Sequence, residues 1–333
     1  MPVALVTGAT GLVGMHIVPR LQRDGWQVRA LVREPARTGL LIDADVTLVT
    51  GDVLDETSFT RAARGCDVLF HAAAVITPLG GWEEFRRPNV EGTRNAVAAA
   101  RSASARLVHV SSVAVYGDRR YAADGERTDE SRVGGRIAED SYYARSKRES
   151  EDLVFAAQRA GEVWATAVRP CVLYGPFDRQ FVPRLARLLR RGLAPVIAGG
   201  GNTLAVVHAA NVADGLLRAA AFDGANGKAY NLANDYDVTV REFFEHAAAG
   251  LEQRVRIVSI PMIVARAAFS VATAVAPLVV GNRFKSQTSA SFDFLARDNP
   301  FSSDLARREL GWDPPVRPET GVAEAFRWWA AHH

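Results

Sequence analysis

Short apolar runs alternate with amphipathic stretches through the first half of the chain. Val3–Thr7, Gln27–Val32, Val46–Val49, Asp67–Ala72, Arg106–Val110 and Val163–Val168 predict strands. Several of these runs are apolar at every position, the pattern of strands covered on both faces of a parallel sheet. Between them, Leu12–Asp24, Thr57–Arg64, Val90–Ala103 and Tyr142–Ala160 carry apolar residues at helical spacing. Strand, helix and strand joined by short links build right-handed βαβ units. The predicted fold class is α/β, with a doubly wound parallel sheet.

After about Pro170 the rhythm loosens. Tyr174-Gly175-Pro176, Gly199-Gly200-Gly201 and Pro314-Pro315 break the chain into shorter pieces. Helices are predicted over Val182–Arg191, Val212–Phe222, Val240–Leu251 and Gly321–Ala331, with strands near Ala229–Leu232 and Arg254–Val258. These elements predict a smaller, mostly helical C-terminal lobe packed on the sheet edge. Ala267–Asn282 is uncharged but shorter than the ~20 residues of a spanning helix, and Pro277 and Gly281 interrupt it. A buried helix or the wall of an apolar pocket is the first expectation there. Peripheral membrane contact is the second, and no transmembrane segment is expected.

The chain has 333 residues, 48% of them hydrophobic, enough for a substantial core. Lys+Arg (40) and Asp+Glu (37) are intermixed and leave a net charge of +3. With no long basic tract, nucleic acid is not an expected partner; Arg184–Arg191 reads as a solvated helix face with an apolar seam. Cys66 and Cys171 make neither a disulfide framework nor a metal-ligand spacing. Together with a strand-like start and no secretory leader, this points to a cytoplasmic protein without a bound metal.

The first strand runs into a glycine turn. Val3–Gly14 comprises an apolar strand, then Gly8-Ala-Thr10-Gly11-Leu12-Val13-Gly14, then a helix. Glycine lets the backbone bend sharply and lets a pyrophosphate approach without meeting a Cβ. The helix N-terminus adds free N–H groups and the positive end of its dipole. Such a turn predicts a Rossmann-like dinucleotide site, although its Gly-x-x-Gly-x-x-Gly spacing differs from the general Gly-x-Gly-x-x-Gly fingerprint. Residues 1–170 then form the NAD(P)-binding domain, with segments around 203–235 returning to it. Residues 171–333 form mainly the substrate-binding lobe. The second strand ends in Arg33-Glu34, and Arg37 follows. A guanidinium there suits the 2′-phosphate of NADP, while a carboxylate would hold the ribose of NAD. Arg33 therefore favours NADP, and Glu34 keeps NAD as the alternative. Beyond the third strand, Asp52 would accept from the adenine amino group while Val53 packs on the ring. At the end of the fourth, His71, Ala72 and Ala73 would let the cofactor lie against the sheet edge.

Tyr143 and Lys147 stand four apart in a predicted helix, on one face and one turn from each other. A free phenol has a pKa near 10, and a neighbouring ammonium favours the phenolate and draws that value down. Lys147 would also hold ribose hydroxyls. The fifth strand adds Ser111-Ser112 at its C-terminal end, the edge at which open α/β sheets bind ligands. A serine there can hydrogen-bond a substrate oxygen as its charge changes.

With these residues the chain resembles an extended short-chain dehydrogenase/reductase over essentially its whole length. The matching segments are Thr7–Gly14, Gly51-Asp52-Val53, His71–Ala74, Asn89-Val-Glu-Gly-Thr93-x-Asn95, Ser111-Ser112-x-x-Val115-Tyr116-Gly117, Tyr143-x-x-x-Lys147, Arg169-Pro170-x-x-x-Tyr174-Gly175-Pro176 and His208-x-x-Asn211-Val-Ala-Asp214. The resemblance implies Tyr143 as acid/base, Lys147 as its electrostatic helper and ribose ligand, and Ser112, four before Tyr116, as donor to the substrate oxygen. It implies that Asn89 supports the site, that Ser111 is a cofactor contact, and that Pro170 and Val172 lie close to the nicotinamide. Val75, Val113, Tyr174 and Phe181 would face substrate. A homodimer is a further expectation carried by the family.

Val113-Ala114 follows Ser112 where sugar-nucleotide dehydratases carry an Asp-Glu pair. Arg169-Pro170-Cys171-Val172 lacks the Asn that sugar-nucleotide epimerases commonly carry there. The sequence is more similar to the 3β-hydroxysteroid dehydrogenase branch, including sterol-4α-carboxylate 3-dehydrogenases. It is also similar to dihydroflavonol-reductase-like ketone reductases and reductases of 2-alkyl-3-oxoalkanoates. Hydride transfer between a secondary alcohol or ketone and NAD(P) is the first function implied, on a bulky, apolar small molecule such as a sterol or β-keto acid. A nucleotide-sugar epimerase with tightly bound NAD is the second. A non-catalytic NADP-sensing binder is the third, and the intact Ser112–Tyr143–Lys147 set argues against it.

Overall fold

Eleven strands are described: β1 (Val3–Thr7), β2 (Gln27–Val32), β3 (Val46–Thr50), β4 (Val68–His71), β5 (Arg106–Val110), β6 (Ala165–Pro170), β7 (Val172–Tyr174), β8 (Leu193–Ile197), β9 (Val206–His208), β10 (Ala229–Leu232) and β11 (Arg256–Ile260). The structure is a computed structural model and describes residues 1–35, 46–76, 81–121, 126–280 and 292–333, with backbone alone over 272–280. Seven strands form one parallel sheet in the order β10-β6-β5-β4-β1-β2-β3. The order reverses between β1 and β4, where Thr7 lies in register with His71. That reversal opens a crevice at the carboxyl ends of the two strands.

The helices are α1 (Leu12–Arg23), α2 (Glu56–Ala63), α3 (Trp82–Phe85), α4 (Gly92–Ala103), α5 (Tyr142–Arg159), α6 (Phe181–Leu189), α7 (Ala209–Ala221), α8 (Val240–Gly250), α9 (Met262–Val280), α10 (Asp304–Leu310) and α11 (Pro318–His332). β1 sends Ala4 and Val6 into a core shared with Ile17, Leu21, Val212 and Leu216, and Leu5 into a second core with Phe59, Ala96 and Val154. Both faces are covered, which is why the run is apolar from Val3 to Val6. Each fully buried aliphatic side chain contributes about 1.5–3 kcal/mol. A third core joins Tyr174, Val182, Phe243, Phe326 and Trp329 in the lobe, alongside the paired strands β7–β9 and β8–β11.

Several boundaries differ from the sequence-based expectations for physical reasons. α7 starts at Ala209, not Val212, because the His208 imidazole Nδ1 accepts from Ala210 N at 3.2 Å and caps the helix. α11 starts at Pro318, whose fixed φ suits a first helical turn. β7 and β9 have three residues each, too few for a periodicity, and β8 carries Pro195 in a two-stranded ladder. Over Ala267–Val271, the part of Ala267–Asn282 whose side chains are described, only Phe269 is half-buried, against Phe292. Ala267, Ala268 and Val271 of α9 are exposed, while Gly281 and Asn282 lie outside the described residues. Among the described residues, no helix is long and apolar enough to cross a membrane.

One buried ion pair ties α5 to the sheet. Arg169 of β6 donates from Nε to Glu151 Oε2 (2.9 Å) and from Nη2 to Glu151 Oε1 (2.6 Å), a two-bond fork. Its Nη1 donates to the Tyr116 hydroxyl at 2.9 Å, which in turn donates to Asn231 Oδ1 at 2.8 Å. Burial opposes the guanidinium charge, but Glu151 and Tyr116 outweigh it and hold the Arg169 pKa above its usual value. Removing one partner strands the other charge in the core. Glu151→Ala should therefore lower the unfolding free energy by about 3–5 kcal/mol in urea titration. A loss below about 1 kcal/mol would mean that water reaches Arg169.

Candidate active site

The three glycines of the first turn do different things. Gly8 has φ +69°, and a Cβ there would meet Ala72 C and Ala73 N at 2.8 Å. At Gly14 a Cβ would collide with Gly8 O and the Ala9 backbone, so glycine lets α1 sit tight on β1. Gly11 is exposed, and a Cβ there would meet only Gly8 O, at 3.1 Å. No side chain caps α1, and its first turn holds no acidic residue. The first amides of a helix have no intrahelical partner. Open space over Gly11 and this uncapped N-terminus fit a pyrophosphate. Ser111 adds an orphan: its Oγ is buried at the strand edge without a hydrogen-bond partner, as expected of a group that completes its bonding on a ligand.

Behind the turn runs a closed chain of hydrogen bonds. The Ala73 amide donates to Thr7 Oγ1 at 3.3 Å, and Thr7 Oγ1 lies 2.9 Å from His71 Nδ1. His71 Nε2 lies 3.1 Å from Thr93 Oγ1, which donates to Asn89 O at 2.6 Å. Because Thr93 spends its proton on Asn89, His71 carries its own on Nε2 and accepts from Thr7 on Nδ1. Burial, with the Lys147 charge nearby, pushes the His71 pKa down to about 3. The ring is thus turned into the core, and only the backbone that follows it, Ala72 and Ala73, is partly open at the sheet edge. Asn89 sits in a π-helical turn, Arg86–Glu91, between α3 and α4. Its Oδ1 accepts from Val75 N at 2.7 Å, and its Nδ2 donates to Val75 O and Ser146 Oγ, both at 2.9 Å. Ser146 donates to Tyr143 O at 2.8 Å, so Asn89 clamps the Val75 loop to the start of α5.

Tyr143, Ser112 and Lys147 converge at the C-terminal edge of β5. Burial pushes the Tyr143 phenol above its ordinary value, and a hydrogen bond with the Ser112 side chain works the other way. Of the two, desolvation prevails, so the phenol lies above its ordinary value. Lys147 is buried and donates from Nζ to Val110 O at 2.8 Å. Burial lowers its pKa to about 8 against the opposing pull of Glu151. An ammonium with one bond made keeps two donors for ribose hydroxyls. Ser112 Oγ also accepts from Ala114 N at 3.2 Å, which fixes its rotamer.

Thr10, Leu12 and Val13 lie in the turn or the first turn of α1. Arg33 and Glu34 are exposed at the end of β2, and Arg37 lies outside the described residues. Asp52 is half-buried and accepts from Leu54 N at 2.9 Å; Val53 rests on Gly92 and is held through its carbonyl by Asn95 Nδ2 at 2.8 Å. Pro170 is buried at the end of β6, whereas Val172 is 36% exposed. Val113 is half-buried. Tyr174 is a correction: its ring packs edge-on against His208 and Phe243 at 5.1 and 5.3 Å, deep in the lobe core. Phe181, half-buried, packs on Phe243 and Phe294. Sequence reasoning missed Ser146, Ile76 and the His71–Thr93 chain. Glu151 could have been found, because it lies four and eight residues beyond Lys147 and Tyr143 on one helix face.

Strand order, glycine turn and the Ser–Tyr–Lys edge define a Rossmann protein of the extended short-chain dehydrogenase/reductase class. Residues 4–233 match the NAD dependent epimerase/dehydratase family, and the chain belongs to that family. It is 31% identical over 318 residues to the 4-hydroxy-2-methyl-3-oxo-4-farnesyl-3,4-dihydroquinoline-1-oxide ketoreductase of Stigmatella aurantiaca, covering 95% of this chain and 93% of the relative. It is 29% identical over 330 residues to a 2-alkyl-3-oxoalkanoate reductase of Stenotrophomonas maltophilia, covering 96% of each. Among solved structures, gox2253 superposes with a TM-score of 0.81 at 26% identity, over 100% of this chain and 99% of that one.

Gly11→Val should weaken binding of NAD(P)H at least tenfold in a fluorescence titration while lowering the thermal midpoint only slightly, because its Cβ meets Gly8 O alone, at 3.1 Å. Unchanged affinity would show that nothing binds over the turn. The buried histidines predict a pH dependence. His71 and His208 stay neutral to about 3, whereas an unfolded imidazole protonates near 6.5. Protons therefore favour the unfolded chain between those values, and stability present above 6.5 is lost as the pH falls. Each group contributes up to about 1.4 kcal/mol per pH unit. The urea midpoint should fall between pH 7 and pH 5; a flat midpoint would mean that these rings are hydrated.

Proposed function

We propose that this chain is an NAD(P)-dependent oxidoreductase that interconverts a secondary alcohol and a ketone on a bulky, largely apolar substrate, sterol-like or a β-keto acid. The meeting of the Ser112 hydroxyl, the Tyr143 phenol and the Lys147 ammonium at one strand edge carries the proposal. Bound nicotinamide would supply or accept the hydride. The residues supply the rest. Ser112 donates to the carbonyl oxygen and steadies its growing charge. Tyr143 gives that oxygen a proton, and its raised pKa keeps the proton available at neutral pH, the state that ketone reduction requires. Lys147 holds ribose hydroxyls and limits the cost of the phenolate left behind. Asn89 and Ser146 keep the backbone around Tyr143 in place.

Ile76 (46% exposed) and Val172 (36% exposed) leave aliphatic side chains open on segments adjoining Val75 and Pro170, which suits an apolar substrate. The ketoreductase and oxoalkanoate reductase names of the relatives support the same class. Arg33 supports NADP over NAD, with Glu34 as the NAD alternative. Under this assignment the cofactor lies on residues 1–170 and the substrate pocket draws mainly on the later lobe.

A cofactor-linked absorbance screen over sterols, β-keto acids and UDP-sugars tests the reaction. Net NAD(P)H consumption is expected with a ketone of the first two classes, and Tyr143→Phe should reduce it at least a hundredfold with cofactor affinity retained. Turnover of a UDP-sugar without net change in NAD(P)H would replace the proposal by a nucleotide-sugar epimerase. Arg33→Asp should weaken NADP at least tenfold more than NAD. Equal losses would remove Arg33 from the 2′-phosphate site.

A further inference from the structure

The chain is nearly charge-balanced, yet its charges are unevenly placed. No Asp or Glu occurs between Asp178 and Asp214, and none between Glu252 and Asp293. The first stretch holds Arg179, Arg184, Arg187, Arg190 and Arg191; the second includes Arg254, Arg256 and Arg266. The fold joins them, because β8 pairs in parallel with β11, Leu193 opposite Arg256 and Pro195 opposite Val258. All four of these side chains are exposed on the outer face of the ladder. β11 then passes through Pro261 into α9, where Ile263 is 84% exposed, Val264 53% and Val271 64%. A helix that is apolar all round belongs in a core. This one has Arg266 as its single charged residue, yet Ile263, Val264 and Val271 stand in solvent, while Met262, Ala265 and Phe269 are half-buried and Phe269 packs on Phe292 at 4.7 Å. Among the described residues, no salt bridge engages Arg191, Arg254, Arg256 or Arg266.

We propose that the outer face of the β8–β11 ladder and the first half of α9 form a docking surface for an anionic lipid bilayer, with α9 lying in the plane of the interface. Ile263, Val264 and Val271 enter the boundary between headgroups and acyl chains, and the arginines meet lipid phosphates. Two competing occupants fit less well. Sequence-tolerant nucleic-acid surfaces interleave basic residues with aromatic platforms, whereas this face offers aliphatic side chains. A second copy of the chain in a two-fold contact would set arginines against arginines, with no carboxylate from either acid-free stretch to offset them.

Co-sedimentation of the full chain with phosphatidylcholine vesicles, with and without phosphatidylglycerol, tests the proposal. The protein should partition onto the phosphatidylglycerol vesicles and leave them as salt rises. Arg254→Gln/Arg256→Gln should lose about 25-fold of that partitioning, about fivefold per arginine. Ile263→Glu/Val264→Glu should abolish it with an unchanged circular dichroism spectrum and thermal midpoint, because both side chains already face solvent. Equal partitioning onto the two vesicle types would overturn the proposal, as would no partitioning or undiminished binding of the glutamate variant. So would retention on heparin without vesicle binding, which assigns the face to a polyanion. A dimer dispersed by Ile263→Glu, again without vesicle binding, would assign it to a second copy.

Discussion

A sheet covered on both faces leaves its polar groups two places to go: into a closed hydrogen-bond chain, or to the rim where the strands end. The central strands follow this with one exception, His109 of β5, whose buried Nδ1 has no hydrogen-bond partner. His71 lies between Thr7 and Thr93 with both ring nitrogens engaged, and a neutral ring costs far less to bury than a charged one. Arg169 and Glu151 are admitted to the interior as a forked pair. The groups left over, Ser111, Ser112, Tyr143 and Lys147, collect at the rim beside β5. The candidate site is where the sheet's unresolved polarity accumulates.

Desolvation also sets the proton inventory of that rim. It acts on the phenol and the ammonium in opposite senses, raising one and lowering the other toward 8. In water a neighbouring ammonium would draw a phenol down. Here Lys147 is buried and Tyr143 half-buried, and the desolvation of the phenol outweighs its hydrogen bond with Ser112. A spacing of four residues shows that the two side chains share a helix face. It carries no information on how dry that face is, and the sign of the Tyr143 shift depends on dryness.

The same division explains what could be read from the sequence. Strands β1 and β4 were legible because coverage on both faces writes a nearly unbroken apolar run, whereas β3, at the sheet edge, mixes half-buried and exposed positions. The glycine turn and the Ser–Tyr–Lys set were legible because their chemistry depends on residue type and short spacing. Tyr174 was misjudged because an aromatic next to a Gly-Pro turn looks the same whether it faces a pocket or a core; its contacts with His208 and Phe243 come from distant segments. The Thr7–His71–Thr93 chain joins three segments, and nothing local marks their meeting. Exposure of Ile263, Val264 and Val271 on α9 is likewise a property of what fails to pack on them, which composition does not record.

The π-helical turn at Arg86–Glu91 carries one residue more per turn than the helices on either side. An α-helix advances about 100° per residue, so the surplus residue resets the angular phase between Trp82–Phe85 and α4. Upstream, that phase lets Trp82 and Phe85 pack on Tyr142 at the start of α5. Downstream, it keeps Ala96 and Ala100 on the sheet. Asn89, in the widened turn, faces the Val75 loop and α5 together. Shortening the segment by a single residue would satisfy one half of the rod and misdirect the other, so this stretch is far less free to vary in length than in composition.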